Sequence, residues 1–238
     1  MRLVVVDDAG ALARYAADVF RDRVRATPNL TMAVPAGRTP RRMYARLREL
    51  QSREPVPFGA MRVFSVDELC PPAPPDGYFW RQVRAEFLAW AHVEHAGCRP
   101  FRVDAADLAT MCDEYEAAIA AAGGLDLVML GLGPNGHIAS NEPGTPFETR
   151  TRAVRLLPET VGYIMTDDVL QGEVSAEAVT LGIQTILDAR EIVVLVSGAA
   201  KRCALRALLD GPESPAVPAS VLRRHSSCTI LADRDAVG

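Results

Sequence analysis

The chain has 238 residues, 49% of them apolar, and a formal net charge of −4. That length supports one large core, and the mild acidity excludes the basic field by which nucleic acid is held, leaving a small anionic substrate to find local positive groups. Five cysteines in odd number, Cys70, Cys98, Cys112, Cys203 and Cys228, form no Cys-x-x-Cys pair, which argues for buried, reduced thiols in a cytoplasm.

In chain order, residues 2–6 read as a first strand, too short and too soon followed by Asp7 for a signal peptide, and no apolar run approaches membrane-spanning length. Residues 7–25 read as a helix with Leu12, Tyr15, Val19 and Phe20 on one face. Residues 30–34 are a second strand. It exits into Pro35-Ala36-Gly37-Arg38-Thr39-Pro40, where Thr39-Pro40 has the form of an N-cap and a first-turn proline, with a helix to about Leu50. Strand, glycine loop and capped helix make a ready anion site, although an ordinary capped helix has the same pattern. Residues 61–66 are a third strand, delivering Asp67 and Glu68 to a proline-rich loop at 71–75. Adjacent carboxylates on an extended segment face opposite ways, so one can face a pocket while the other is a buried acceptor or a surface charge. Two solvated loop acids are the alternative.

Residues 77–90 predict a helix; His92 and His95 beyond it have no third ligand cluster, so no metal site is expected. Residues 99–103 read as a strand and 105–122 as a helix whose Glu114 and Glu116 belong to a solvated face. Residues 150–157 look extended. The polar, weakly periodic segment 158–173, with Gly162 and Gly172, suits a mobile cover. Residues 178–189 predict a short strand running into a helix. The apolar strand 192–196 ends in Ser197-Gly198 and opens a helix carrying Lys201 in its first turn. A cation there opposes the helix dipole, a conflict an anionic ligand would resolve; a snorkelling surface lysine is the alternative. Residues 228–232 close the chain as a strand. With no repeat or linker, this alternation predicts a single domain over residues 1–238 of α/β class, with a doubly wound, mostly parallel, Rossmann-like sheet.

The most informative stretch is 125–143. A short apolar run bounded by glycines predicts a strand buried on both faces, and Gly131, Gly133 and Gly136 follow, with His137 and Glu142 close behind. Gly131-x-Gly133-x-x-Gly136 also matches a dinucleotide fingerprint. The context opposes that reading, because Pro143 and Pro146 interrupt any helix that would receive a pyrophosphate. A tight strand exit with an interior histidine is the bland alternative, weakened by the clustering of His, Asn and Glu at a strand end, where α/β sheets hold ligands.

Residues 131–143 resemble the signature of the glucosamine-6-phosphate deaminase and isomerase family, which shares its fold with the 6-phosphogluconolactonases. Val34-Pro35-Ala36-Gly37-Arg38-Thr39-Pro40 resembles the family's first phosphate-side loop, Phe64-Ser65-Val66-Asp67-Glu68 its second acidic motif, and Ser197-Gly198-Ala199-Ala200-Lys201 a later lysine turn. The resemblance covers nearly the whole chain. Asn135, with the stretch 216–225, looks closest to the galactosamine-6-phosphate branch.

The resemblance implies conversion of glucosamine-6-phosphate or galactosamine-6-phosphate to the ketose 6-phosphate and ammonia through an enediol, with no metal or organic cofactor. By resemblance, Asp67 is the base at C2, and His137, held by Glu142, assists ring opening. Gly37, Thr39 and Lys201 bind the phosphate, and Glu68 and Gly136 join the substrate-binding set. Asn135 stands where the glucosamine enzymes have aspartate; it can orient the imidazole but cannot stabilise its cation. Thr166 stands nearest the place of an arginine that many relatives contribute from the cover, and Arg38 either substitutes for it or forms a surface ion pair. The chain lacks the C-terminal extension of allosterically regulated relatives, so no effector control is expected. The resemblance leaves oligomeric state and the choice of epimer open. A lactonase typically reads Leu-Phe-Pro where this chain has Asn141-Glu142-Pro143, although Ser140 is lactonase-like. A non-catalytic sugar-phosphate sensor is a third reading, disfavoured by the absence of appended DNA-binding helices.

Overall fold

A computed structural model describes residues 1–71, 77–166 and 175–238. Most of the proline-rich stretch 71–75 and the latter half of the expected cover 158–173 therefore lie outside the described residues.

Strand β1 (Arg2–Val6) leads into α1 (Ala9–Ala26). Asp8 caps that helix by accepting the Ala11 N–H at 2.7 Å, and Leu12, Ala16, Phe20 and Val24 line its buried face at four-residue spacing. Strand β2 (Thr31–Val34), α2 (Arg38–Arg53), β3 (Arg62–Ser65) and β4 (Asp67–Leu69) follow. The next helical run consists of α3 (Phe79–Val83), a π-helical turn (Arg84–Leu88) and α4 (Ala89–Ala91), and it ends at His92 with φ of 53°. Then come β5 (Cys98–Arg99), α5 (Leu108–Ala121), β6 (Leu127–Gly131), β7 (Arg152–Arg155) and α6 (Pro158–Met165). The last part holds β8 (Glu177–Thr180), α7 (Ile183–Leu187), β9 (Glu191–Val196), a 3-10 turn (Ala199–Lys201) and α8 (Arg202–Asp210). A 3-10 segment (Pro218–Arg224), β10 (Cys228–Asp233) and α9 (Arg234–Val237) complete it.

Among the described residues the strands form two sheets. The larger has the order β1-β10-β9-β6-β2-β3-β5, and every pair in it is parallel. Alternation along its central strands separates two cores. Met32, Leu127, Met129, Val193 and Leu195 pack beneath α1, α2 and the helical run around Phe87, whereas Ala33, Val128, Leu130, Ile192 and Val194 face α5 and α8. Residues at these central positions are fully buried; truncating Leu127 to alanine would cost about 2–5 kcal/mol. This is the doubly wound arrangement expected from the strand and helix alternation. Winding runs outward from β2 to β3 on one side and from β6 through β9 to β10 on the other, so the crevice of reversal lies between β2 and β6.

The second sheet, β4-β8-β7, is antiparallel and was not anticipated. Three-residue β4 carries no readable alternation, and its partner β8 lies over a hundred residues away, where local pattern has no reach.

Three further expectations need correction. Gly37, not Thr39, caps α2: its φ of +113° lets the chain enter the helix two residues earlier, leaving Thr39 inside the first turn. The strand expected at 99–103 is only Cys98–Arg99. Glu116 is not solvated; its carboxylate accepts the Thr151 N–H at 3.0 Å and hydroxyl hydrogen bonds from Thr151 and Thr185, tying α5 to the small sheet and α7. The described half of the expected cover is a regular helix, α6. No helix of the described residues is long and apolar enough to cross a membrane.

Candidate functional site

The crevice between β2 and β6 opens into a cavity lined by Gly37, Arg38 and Thr39 from the β2 exit, Asp67 just beyond β3, Gly133, His137 and Ser140 from the loop after β6, Tyr163, and Lys201. All four strand ends singled out in the sequence contribute to it.

Asp67 begins β4 beside the cavity. Its Oδ2 accepts the Ser140 hydroxyl at 2.8 Å, and burial pushes its carboxyl up to about 7 against the lowering effect of that hydrogen bond, with nearby Glu68 adding a further upward push. Glu68 points the other way, as strand alternation demands, and does not line the cavity. Its carboxylate collects the backbone N–H groups of Leu69, Tyr78, Phe79 and Trp80 at 2.8–3.0 Å. Glu68 thus closes the N-terminus of α3 and satisfies donors a helix start leaves open. Burial raises its carboxyl and those N–H groups oppose the rise.

Helix α3 in turn carries Gln82, whose side-chain amide pairs with both polar groups of Gly37, accepting the N–H at 3.1 Å and donating to the carbonyl at 3.2 Å. Nothing in the sequence flagged this buried glutamine as the brace of the glycine loop.

His137 lies in the loop after β6. A Cβ at Gly133 would meet the imidazole at 2.3 Å, so that glycine makes room for the ring. Asn135 Oδ1 is 2.8 Å from His137 Nδ1, while Asn135 Nδ2 donates to Glu142 Oε2 at 3.0 Å. Because the carboxylate only accepts, the amide oxygen must face the ring, which assigns the proton to Nδ1 and leaves Nε2 its lone pair. Glu142 Oε2 is 3.7 Å from Nδ1, and Oε1 accepts the Leu157 N–H at 3.2 Å. Burial lowers the imidazole to about 4; Glu142 works against this and Lys201 with it. Asn135, Gly136 and Glu142 stand outside the cavity lining, the first and last as supports behind the histidine.

Lys201 is buried, and its Nζ lies 4.3 Å over the Tyr163 ring. Among the described residues its backbone N–H donates to the Gly198 carbonyl at 3.0 Å, while the ammonium meets the ring face. Burial, with Arg38 nearby, lowers its ammonium to about 8. The Arg38 guanidinium lies 4.9 Å from the same ring, donates to the Tyr163 carbonyl at 3.2 Å, and reaches the Thr166 hydroxyl. Two cations thus flank one aromatic ring at the mouth of the glycine loop, an arrangement suited to an anion. The conflict expected between Lys201 and its helix dipole is met from inside the chain: Asp233 accepts the Gly198 N–H at 3.0 Å and the Ser197 hydroxyl at 2.5 Å. Tyr163 and Ser140 had no pattern that would have marked them as partners of Lys201 and Asp67. His92 and His95 stay apart from this site, and no group of three or more potential metal ligands occurs among the described residues.

The family model described as glucosamine-6-phosphate isomerases/6-phosphogluconolactonase matches residues 7–231. A glucosamine-6-phosphate deaminase of Pseudarthrobacter chlorophenolicus is 34% identical across 99% of this chain and 91% of its own length. One from Bacillus velezensis is 36% identical across 95% of each. The structure of a monomeric glucosamine-6-phosphate deaminase superposes with a TM-score of 0.93 at 32% identity, covering 99% of this chain and 98% of its own. The 6-phosphogluconolactonase of Trypanosoma brucei shares the fold at a TM-score of 0.75 and 23% identity, covering 99% and 97%. A match over nearly the full length, joined to identities above 30% along it, makes this chain a member of the glucosamine-6-phosphate isomerase and 6-phosphogluconolactonase family.

Proposed function

We propose that this protein converts an amino-sugar 6-phosphate, the glucosamine or galactosamine epimer, into the ketose 6-phosphate and ammonia. The observation that carries the reading is a divergent pair in one cavity: a carboxyl raised to about 7 at Asp67 and an imidazole lowered to about 4 at His137. The names of the full-length relatives support it.

Neutral His137, with its free Nε2, takes the proton from the anomeric hydroxyl and returns it to the ring oxygen, opening the sugar. Asn135 and Glu142 keep the ring in that tautomer. Ionised Asp67 removes the proton at C2 of the open aldehyde and delivers it to C1, while the proton that O1 gains comes from the substrate's own ammonium group at C2. The intermediate is of the enediol type, here an enolamine because C2 bears nitrogen. The resulting imine at C2 takes up water and releases ammonia. Arg38, Lys201 and the N–H groups of Arg38 and Thr39 at the start of α2 hold the phosphate. The steps are proton transfers, cleavage of the ring C–O bond, addition of water to the imine and loss of ammonia from the resulting carbinolamine.

Both amino-sugar 6-phosphates and the 6-phosphogluconolactone should be offered to the protein, with release of ammonia, ketose phosphate and acid followed. Ammonia and ketose phosphate in equal amounts from one or both amino sugars are expected. Acid release from the lactone with no ammonia from either amino sugar would overturn the reading in favour of a hydrolase, and binding without any turnover would favour a sensor.

A further inference from the structure

We propose that Ser140 is a positioning residue for Asp67, clamping one carboxylate oxygen so that the other is presented to the substrate carbon; this deepens the deaminase reading and rests on it. The Ser140 hydroxyl donates to Asp67 Oδ2 at 2.8 Å. Both residues line the same cavity, and Ser140 is only 5% exposed, so water does not compete freely for the contact.

The serine is itself held on two sides. Its backbone N–H donates to Thr180 Oγ1 at 3.1 Å, and Thr180 is the cross-strand neighbour of Asp67 in the small sheet. Before it, Ala139 adopts φ of 48°, a left-handed conformation uncommon for a residue with a Cβ. Asn141 closes this turn from the far side: its N–H and side-chain amide bond the Ile138 carbonyl, the amide also reaches the Leu181 carbonyl, and Arg152 donates to its Oδ1 at 2.9 Å. A strained turn fixed at both ends and aimed at one carboxylate oxygen is more than a solvated serine needs. It also puts the partner of Asp67 three residues after His137, so one loop sets the geometry of both proton-transfer groups.

The electrostatic consequence has a definite sign. A donor to the carboxylate favours its charged form, so removing the hydroxyl must raise the pH at which Asp67 ionises. Of the other groups around it, Glu68 on the same strand pushes the same way, Tyr115 on α5 stays neutral in its buried setting, and His137 and Lys201 share the cavity. None of these is altered by replacing Ser140.

The test is Ser140→Ala, with Ser140→Cys as a second variant of similar size and weaker donor strength. The Asp67 carboxyl should be titrated in the free protein by carbon NMR, alongside the pH profile of kcat/KM for the amino-sugar phosphate. In Ser140→Ala the Asp67 titration and the acidic limb should move up together by about one pH unit, and kcat should fall about tenfold with KM little changed. Ser140→Cys should lie between variant and parent. An Asp67 titration identical in parent and both variants overturns the proposal. If the parent turns over no amino sugar, the functional reading fails, yet the carbon titration still decides the role of Ser140.

Discussion

Replacing Asn135 with aspartate puts a carboxylate where the amide oxygen now sits, 2.8 Å from His137 Nδ1. The variant also removes the N–H that Asn135 gives to Glu142 Oε2 at 3.0 Å, so two carboxylates would face each other behind one imidazole. Like charges at that distance do not both ionise comfortably beside a neutral ring; a proton on His137 relieves both. An opposite charge at this range moves a pKa by about 1–3 units, which lifts the imidazole from about 4 into the region where Asp67 titrates. In the parent the acidic limb of kcat/KM should therefore report one proton, that of Asp67, because His137 is already neutral there. In Asn135→Asp the limb should steepen toward two protons and move to higher pH. Nitrogen NMR of the His137 ring gives the titration directly, and kcat/KM across pH gives its catalytic consequence. Loss of kcat/KM by the same factor at every pH, with the ring titrating as in the parent, would refute the electrostatic argument and make Asn135 a substrate contact.

Asp67→Asn should abolish ammonia release and solvent exchange at C2, while stabilising the protein above about pH 7. The raised carboxyl stabilises the fold fully below its unfolded value of 3.8 and loses that contribution as pH rises through about 7, on the order of 4 kcal/mol. Thermal melts of parent and variant that differ equally at acid and neutral pH would contradict it. Lys201→Ala should raise KM at least tenfold with kcat less affected, since the contact is made by the phosphate in ground and transition states alike; an unchanged KM removes the lysine from the phosphate site. The parent kcat/KM should rise with ionisation of Asp67 near 7 and fall with loss of the Lys201 proton near 8, a narrow optimum that initial rates across pH will reveal or deny. Gly133→Ala should cost most of the activity, because its Cβ would displace the imidazole, and retention of near-parent rates would show that the loop yields freely.

The large sheet was legible because its central strands are apolar runs buried on both faces, and glycine-marked exits located three of the four strand ends that surround the cavity. The divergence of Asp67 and Glu68 followed from strand alternation alone. What could not be read depends on pairing at a distance. Nothing local to β4 announces Thr180 as its neighbour, nothing in α5 announces that Glu116 will meet Thr151 and Thr185, and the dipole of the Lys201 turn is answered by Asp233 from the last strand. Gln82 and Tyr163 escaped for the same reason: each is an ordinary helical residue until the fold sets it against Gly37 or Lys201.

The division of labour between Asp67 and Glu68 makes this corner of the molecule intolerant of changes in chain length. One carboxylate faces the cavity while its neighbour, 1% exposed, ties down the three N–H groups at the start of α3 and that of Leu69 beside it. Because side chains alternate, a one-residue insertion or deletion between Ser65 and Asp67 would exchange their directions, aiming the longer acid at substrate and leaving the shorter one to span to the helix. The phosphate loop would loosen with it, since α3 carries the Gln82 that braces Gly37. Point substitutions at either acid leave the other in place; an indel unseats both at once.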